Sequence, residues 1–316
     1  MKKKEKPLVS IICTSFNHEV FIPASLESIL KQTYDQLEVI LIDNGSMDNS
    51  QVLLKEWQEK NQGRFPIKVI FREQAINYCK SFNEGFDLVS GKYFVDLSTD
   101  DILLPEHIAL SVDKLEENPL ASAAFSDAII ISQKRRRNFF PRTAQGTLKV
   151  KVDEGWIYEK VVATHHILSS TMMMRSQSFQ LLGKYDENLE YEDFDIIVRM
   201  AREFPIVFSD HIGVEKHEHP TSFSNEQYQA KTSRMLPSTL RVCQKIARMN
   251  RRKSEDEALL VRVFYEWRQA LASANFEVAE GFLQLSGELA GKGLLFKFYK
   301  GWTKGRWDIS GLINKG

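Results

Sequence analysis

In the segment DLSTDDILLP, residues 96–105, two adjacent carboxylates, Asp100 and Asp101, stand just past the apolar run KYFVDL. Like charges about 4 Å apart near a protein surface repel by roughly 4 kcal/mol, and a shared cation would turn that repulsion into attraction. A hard divalent ion such as Mg2+ or Mn2+ takes oxygen ligands and is commonly held by one or two carboxylates together with substrate phosphates. The pair is therefore a candidate metal and diphosphate site. The plain alternative is that Asp100 caps a helix starting near Pro105 while Asp101 is solvated.

Two further clusters bear on that choice. In LIDNGSMDNS (residues 41–50) an apolar run leads into Asp43, Asn44 and Gly45, a turn able to present oxygens and amides to a base or ribose, or simply to cap the next helix through Ser46 or Asp48. In YDENLEYEDFDIIVRMA (residues 185–201) an acidic cluster with Glu192 and Asp193 leads into a helical pattern, where the helix dipole alone favours carboxylates. The combination of the three makes a catalytic reading attractive.

The elements that would position these residues can be read from the pattern. LVSIIC, EVILI, IKVIF and KYFVDL are short runs of β-branched, aliphatic and aromatic residues that read as buried strands. Ile22, Leu26, Ile29 and Leu30 share one helix face, with Pro23 at an early helical position. Further helical patterns surround residues 52–57, 78–89 and 105–115. Strand and helix alternate, which predicts an α/β fold, an open and mostly parallel sheet flanked by helices. In such sheets ligands bind beyond the carboxyl ends of the strands. The polar segments there are TSFN (14–17), DNGSMD (43–48), REQAIN (72–77) and STDD (98–101).

From about residue 225 the pattern becomes helical. Leu259, Leu260, Val263, Phe264, Trp267 and Leu271 form one stripe, and Phe276, Ala279, Leu283 and Leu285 begin another after a turn at 273–275. The tail GKGLLFKFYKGWTKGRW mixes aromatics with Lys and Arg, a composition suited to a membrane interface or to packing on the domain. QKRRRNFFPRT (133–143) reads as an exposed loop in which Phe139 and Phe140 lie beside basic residues able to grip a phosphorylated or lipid-linked acceptor. His165 and His166 read as core or strand-edge histidines.

With 316 residues, there is enough chain for a large core; Lys plus Arg and Asp plus Glu both total 42, so no global field points to nucleic acid. Three widely spaced cysteines without metal-ligand spacing fit a reducing, cytoplasmic compartment. No run approaches the roughly 20 apolar residues of a membrane span.

Four blocks in order, residues 7–50, 81–101, 169–201 and HEHPTSFS at 217–224, resemble those of family 2 glycosyltransferases with the GT-A fold. The resemblance implies a catalytic domain over residues 1–225 and a helical extension over 226–316. It implies an inverting, metal-dependent transferase that uses Mn2+ or Mg2+. The sugar would move from a nucleotide donor, UDP-linked by preference, to a saccharide or lipid-linked acceptor in bacterial surface polysaccharide assembly; peripheral membrane contact through the tail is one of the two readings of its composition. Asp193 matches the general base and Asp101 the metal carboxylate, with His219 a further metal ligand or phosphate contact. Thr14, Phe16, Asn17, Asp43, Asn44, Asn83 and Asp100 match donor-binding positions.

The chain departs from the family pattern at Ser98, where the acidic motif begins with aspartate, at Asn44, where a second aspartate is common, and at Ala75, where asparagine is frequent. A non-catalytic sugar-nucleotide binder is the rival that Ser98 raises. A dehydrogenase or nucleotidyltransferase is disfavoured because TSFNHE lacks the glycines of a phosphate loop.

Overall fold

The structure, a computed structural model, describes residues 6–313, with side chains through 311. Its strands are β1 (Val9–Ser15), β2 (Leu37–Asp43), β3 (Ile67–Phe71), β4 (Tyr93–Ser98), β5 (Ile102–Leu103), β6 (Ala123–Ser132), β7 (Arg136–Asn138), β8 (Met173–Arg175) and β9 (Ile206–Glu218). Its helices are α1 (Ile22–Leu30), α2 (Ser50–Asn61), α3 (Tyr78–Phe86), α4 (His107–Glu117), α5 (Tyr158–Ala163), α6 (Ser176–Leu181), α7 (Asp193–Glu203), α8 (Met235–Met249), α9 (Lys253–Ala272), α10 (Phe276–Glu288), α11 (Leu294–Gly305) and α12 (Ser310–Ile313).

Two compact units emerge. The first holds residues up to 157, with 167–187 and 199–219; the second holds 158–166, 188–198 and everything from 220.

The first unit contains the sheet, ordered β3-β2-β1-β4-β8-β6-β9-β5 with β7 on β6. Strands β1 to β4 are mutually parallel, β8 runs against both β4 and β6, and β9 is parallel to β6. Most strands thus share one direction, and only the short β5, β7 and β8 oppose it. β1 and β2 are buried along their whole length, which is why they read as continuous apolar runs rather than alternating ones. Helix α1 starts with Pro in its first turn and lays Ile22, Leu26 and Ile29 against this core. Each such side chain contributes about 1.5–3 kcal/mol as an upper bound.

Strand order reverses between β1 and β4, because the chain builds outward through β2 and β3 and then returns to the other side of β1. That switch point opens a crevice at the carboxyl ends of the two strands, the place where Thr14 pairs in register with Ser98.

The segment 133–143 departs from the expected exposed loop. Arg135, Arg136 and Arg137 are exposed, and Arg136 meets Glu215 at 2.5 Å. Phe140, however, is buried edge-on to Phe208 and beside Phe125, and Phe139 packs on the core. Arg142 donates from Nε to the fully buried Asp127 at 2.5 Å. Phe140, just past the exposed β7, is thus withdrawn from any acceptor, while Phe139 is half-buried against the core.

In the second unit α9 and α10 form the expected hairpin. Its turn contains Ala274 at φ 55°. Leu259, Val263, Trp267 and Leu271 are fully buried. The stripe also hides a charged pair. Arg262 and Glu266, one turn apart on α9, are 1% exposed each. The guanidinium stacks over Phe194 at 4.7 Å, donates from Nε to the Val162 carbonyl and lies 2.6 Å from His165. Glu266 also accepts from the Tyr228 hydroxyl at 3.1 Å. His165 is thus the partner of a buried arginine rather than a strand-edge residue.

Candidate metal centre and its surroundings

Three strand ends converge in the first unit. Beyond β1 the chain turns through Phe16 and Asn17, the latter at φ 57°, a left-handed conformation that asparagine tolerates better than most residues. The turn is zipped to the loop after β2. Asn17 donates its amide to Ser46 Oγ and accepts from the Met47 amide, His18 donates to Ser50 Oγ, and Glu19 donates to Asp48. Beyond β4, the Thr99 amide donates to the Thr14 carbonyl and extends the ladder past the strand.

The result is a cluster of His18, Asp100 and His219 whose ligand-capable atoms all lie within 4.8 Å of one another. Asp100 Oδ2 is 3.0 Å from His219 Nε2 and 4.0 Å from His18 Nε2. Phe21, at the start of α1, stacks on His219 at 4.7 Å and meets His18 edge-on at 6.2 Å. His18 is oriented through its other nitrogen, 3.0 Å from Thr99 Oγ1, as ligating imidazoles commonly are. Burial holds its pKa below the usual imidazole value despite the opposing pull of Asp100.

Burial alone would raise the Asp100 pKa, but His18 and the Ser98 hydroxyl outweigh it and the carboxylate stays ionised. Its Oδ1 is buried without a hydrogen-bond partner. An orphaned anionic oxygen beside two imidazoles is what a divalent cation would satisfy, so these residues fit the expected metal.

Asp101 is not in that cluster. It is 1% exposed, its Oδ1 accepts from the His217 amide at 2.9 Å, and its Oδ2 lies 3.6 Å from Lys216 Nζ. Burial pushes its pKa up, with Lys216 opposing and Asp100 adding to the rise. The carboxylate among the histidines is Asp100, and Asp101 anchors the end of β9 instead.

Two other expected donor contacts are also engaged elsewhere. Asn44 donates to the Ile76 carbonyl at 2.9 Å and accepts from the Ile76 amide at 3.3 Å, so its amide tethers the loop before α3. Asn83 donates to the Tyr185 carbonyl and to Glu187, accepts from the Tyr185 amide, and is 6% exposed. Asn44 spends its polar atoms on backbone, and Asn83 divides its own between the Tyr185 backbone and the Glu187 carboxylate.

Asp43 is fully buried; Oδ1 accepts from the Gly45 and Ser46 amides while Oδ2 has no partner. Thr14 is 7% exposed with an unpartnered Oγ1, and Phe16 is 46% exposed at the rim of the β1 turn.

His18, Phe21 and Asp96 escaped the sequence reading. His18 had one usable signal, its position in the loop after the central strand. Asp96, two residues before Ser98 on β4, accepts from Tyr78 and Tyr185 at 2.8 and 3.2 Å. Desolvation lifts its pKa from 3.8 to about 7 although the two phenols pull it down.

Asp193 belongs to the second unit, at the first position of α7, and its Oδ1 accepts from the Phe194 amide at 2.6 Å. Together with burial it raises the pKa of Tyr191, whose hydroxyl lies 2.6 Å from Thr239 Oγ1.

The profile of Glycosyl transferase family 2 matches residues 10–180, more than half of the chain. The protein belongs to that family. It is 33% identical over 175 residues to a glycosyltransferase of Haemophilus influenzae, covering 55% of this chain and 53% of that one. The chain therefore spans about half the length of this relative. An Escherichia coli relative, 31% identical over 114 residues (36% of this chain and 43% of that one), is a UDP-Glc:alpha-D-GlcNAc-diphosphoundecaprenol beta-1,3-glucosyltransferase.

Among solved structures, Staphylococcus aureus TarS 1–349 in complex with UDP-GlcNAc superposes with a TM-score of 0.71 at 14% identity, covering 95% of this chain and 89% of that one. A mannosyltransferase of Pyrobaculum calidifontis in complex with GDP-Man and Mn2+ gives 0.59 at 16% identity, covering 96% and 85%. These likenesses establish the GT-A fold.

Proposed function

We propose that this glycosyltransferase moves a sugar from a UDP-linked donor to a saccharide or lipid-linked saccharide acceptor, with inversion, in surface polysaccharide assembly. The observation that carries the reading is the His18, Asp100 and His219 cluster at the switch point of a family 2 sheet. The donor preference is supported by the UDP-sugars named for the Escherichia coli relative and the TarS complex, and the lipid-linked acceptor by the former. Residues 1–225 form the catalytic part in this reading and 226–316 its helical extension.

Asp100, His18 and His219 would hold the cation, and two imidazoles with one carboxylate suit Mn2+ better than Mg2+. The bound ion would supply charge stabilisation for the departing diphosphate. Asp43 and Thr14, each with a buried oxygen to spare, would bind the nucleoside, and Phe16 offers its exposed ring to the base. Asp193 would take the proton from the acceptor hydroxyl as its oxygen bonds to the anomeric carbon and the bond from that carbon to the phosphate oxygen breaks. Asn44 and Asn83 would act at one remove by fixing the loops beside them.

The test is a thermal-shift panel of UDP, dTDP, GDP and CMP, each with Mn2+ and with chelator, followed by donor turnover. A Mn2+-dependent shift for UDP, with turnover that vanishes in Asp193→Asn while the shift survives, supports the reading. Stabilisation by GDP alone would overturn the donor, and turnover that survives in Asp193→Asn would overturn the base.

A further inference from the structure

Helix α11 has a finished inner face and an unfinished outer one. Inward, Phe296 and Tyr299 pack around Trp267 at 5.9 and 5.3 Å, and Trp267 donates its indole N–H to Thr303 at 2.9 Å. Tyr299, Trp302 and Thr303 are buried. These contacts set the rotation of the helix. Outward, Leu294 is 85% exposed, Leu295 50% and Phe298 52%; Trp307, just past the helix, is 55% exposed.

At about 100° per residue, Leu294 and Phe298 fall roughly 40° apart and Leu295 within about 60° of Phe298. Lys297, Lys304 and Lys300 follow along the opposite flank of Leu294, at roughly 60° to 120° from it. All three lysines and Lys292 are exposed, and none makes an ion pair among the described residues. Between Glu288 and Asp308 the sequence has no acidic residue.

We infer that α11 and the residue Trp307 after it dock this protein on the surface of a bilayer containing anionic lipid. Leu294, Leu295, Phe298 and Trp307 would enter the boundary between headgroups and acyl chains, and the lysines would meet lipid phosphates. An exposed apolar strip bordered on one side by unpaired cations matches a surface that is apolar below and negative above. A protein partner of ordinary composition would bring mixed charge to the same flank. No helix among the described residues is long and apolar enough to cross a membrane, so the contact would lie in the interface plane. The inference rests on the second unit alone and stands whether or not the donor and acceptor assignments hold.

The experiment is vesicle co-sedimentation of the full chain. Phosphatidylcholine vesicles with about 30% phosphatidylglycerol are compared with pure phosphatidylcholine, at low and high salt. Binding to the anionic vesicles is expected, with roughly a fivefold loss for each of Lys297→Gln, Lys300→Gln and Lys304→Gln. Leu294→Ser with Phe298→Ser should abolish it; because Phe298 also packs beside Tyr299 and Trp302, Leu294→Ser alone, at an 85% exposed position, serves as the variant that should weaken binding with no change in melting temperature. Equal binding to both vesicle types, or no sedimentation with either, would overturn the inference. So would a wild-type dimer by light scattering that becomes monomeric in Leu294→Ser/Phe298→Ser, since a second copy would then be what covers the face.

Discussion

Asp96→Asn should make the protein more stable at pH 8 and slightly less stable at pH 4. The folded-state pKa of Asp96 is about 7 against an ordinary value of 3.8. Between those limits the native state holds a proton that the unfolded chain has released, so stability falls as pH rises through that window. The difference of about 3 units corresponds to roughly 4 kcal/mol at about 1.36 kcal/mol per unit. Half-burial of the residue and relaxation around it reduce that to about 2–4 kcal/mol. Asparagine keeps an oxygen for Tyr78 and Tyr185, but its amide nitrogen replaces the unpartnered Oδ1. That exchange costs about 1 kcal/mol, which is the deficit expected at pH 4. At about 2 °C per kcal/mol, the gap between mutant and wild-type melting temperatures should swing by roughly 4–8 °C from pH 4 to pH 8, measured in chelator. Melting curves that shift in parallel across that range would refute the reasoning, because they would mean Asp96 titrates alike in both states.

If the cation sits among His18, Asp100 and His219 as proposed, Asp100→Ala should abolish the Mn2+-dependent part of nucleotide stabilisation, while Asp101→Asn, which can still accept from the His217 amide, should retain it. His18→Ala should lower the apparent affinity for Mn2+ by tenfold or more without altering metal-free UDP binding, read by titrating the metal. Arg262→Met leaves Glu266 buried beside Tyr228 alone, and urea denaturation should record a loss of about 3–5 kcal/mol, largely recovered by adding Glu266→Gln. Gly45→Ala forces a side chain at φ 82° into the Gln74 and Ala75 backbone at 2.5 Å. It should weaken UDP binding and destabilise the first unit by more than about 1 kcal/mol, checked by calorimetry.

How much of this was legible follows from how local each signal is. β1, β2 and most of β4 were readable because strands buried on both faces leave continuous apolar runs, the half-exposed β3 because its β-branched and aromatic residues suffice, and the α9–α10 hairpin because its stripe spans several turns. β5, β7 and β8 are two or three residues long, too short to show a period, and β9 mixes buried and exposed residues along its length. The placement of Asp100 and Asp101 turned on a single residue step past the end of β4, where the chain leaves the strand and the two side chains meet different partners. Type and spacing cannot distinguish the two; the amide of His217 does, and it is 116 residues away. His18 was hidden for the same reason, since Thr99, which orients it, lies 81 residues further on. The aromatic pair at 139 and 140 misled because charge next to it suggested a surface, while its true neighbours come from β6 and β9.

The division of the chain has a consequence for inheritance. Residues 158–166 and 188–198, the latter containing Asp193, pack with the helices that follow residue 220, so α7 begins in one unit and ends in the other. A chimera made by a single crossover near residue 225 would join one parent's proposed base to another parent's helices and break the Arg262 to Phe194 and Lys245 to Asp195 contacts. Recombination between relatives would therefore succeed only where those partners already match, and the helical segment and the short stretch around Asp193 should change together as one inherited block.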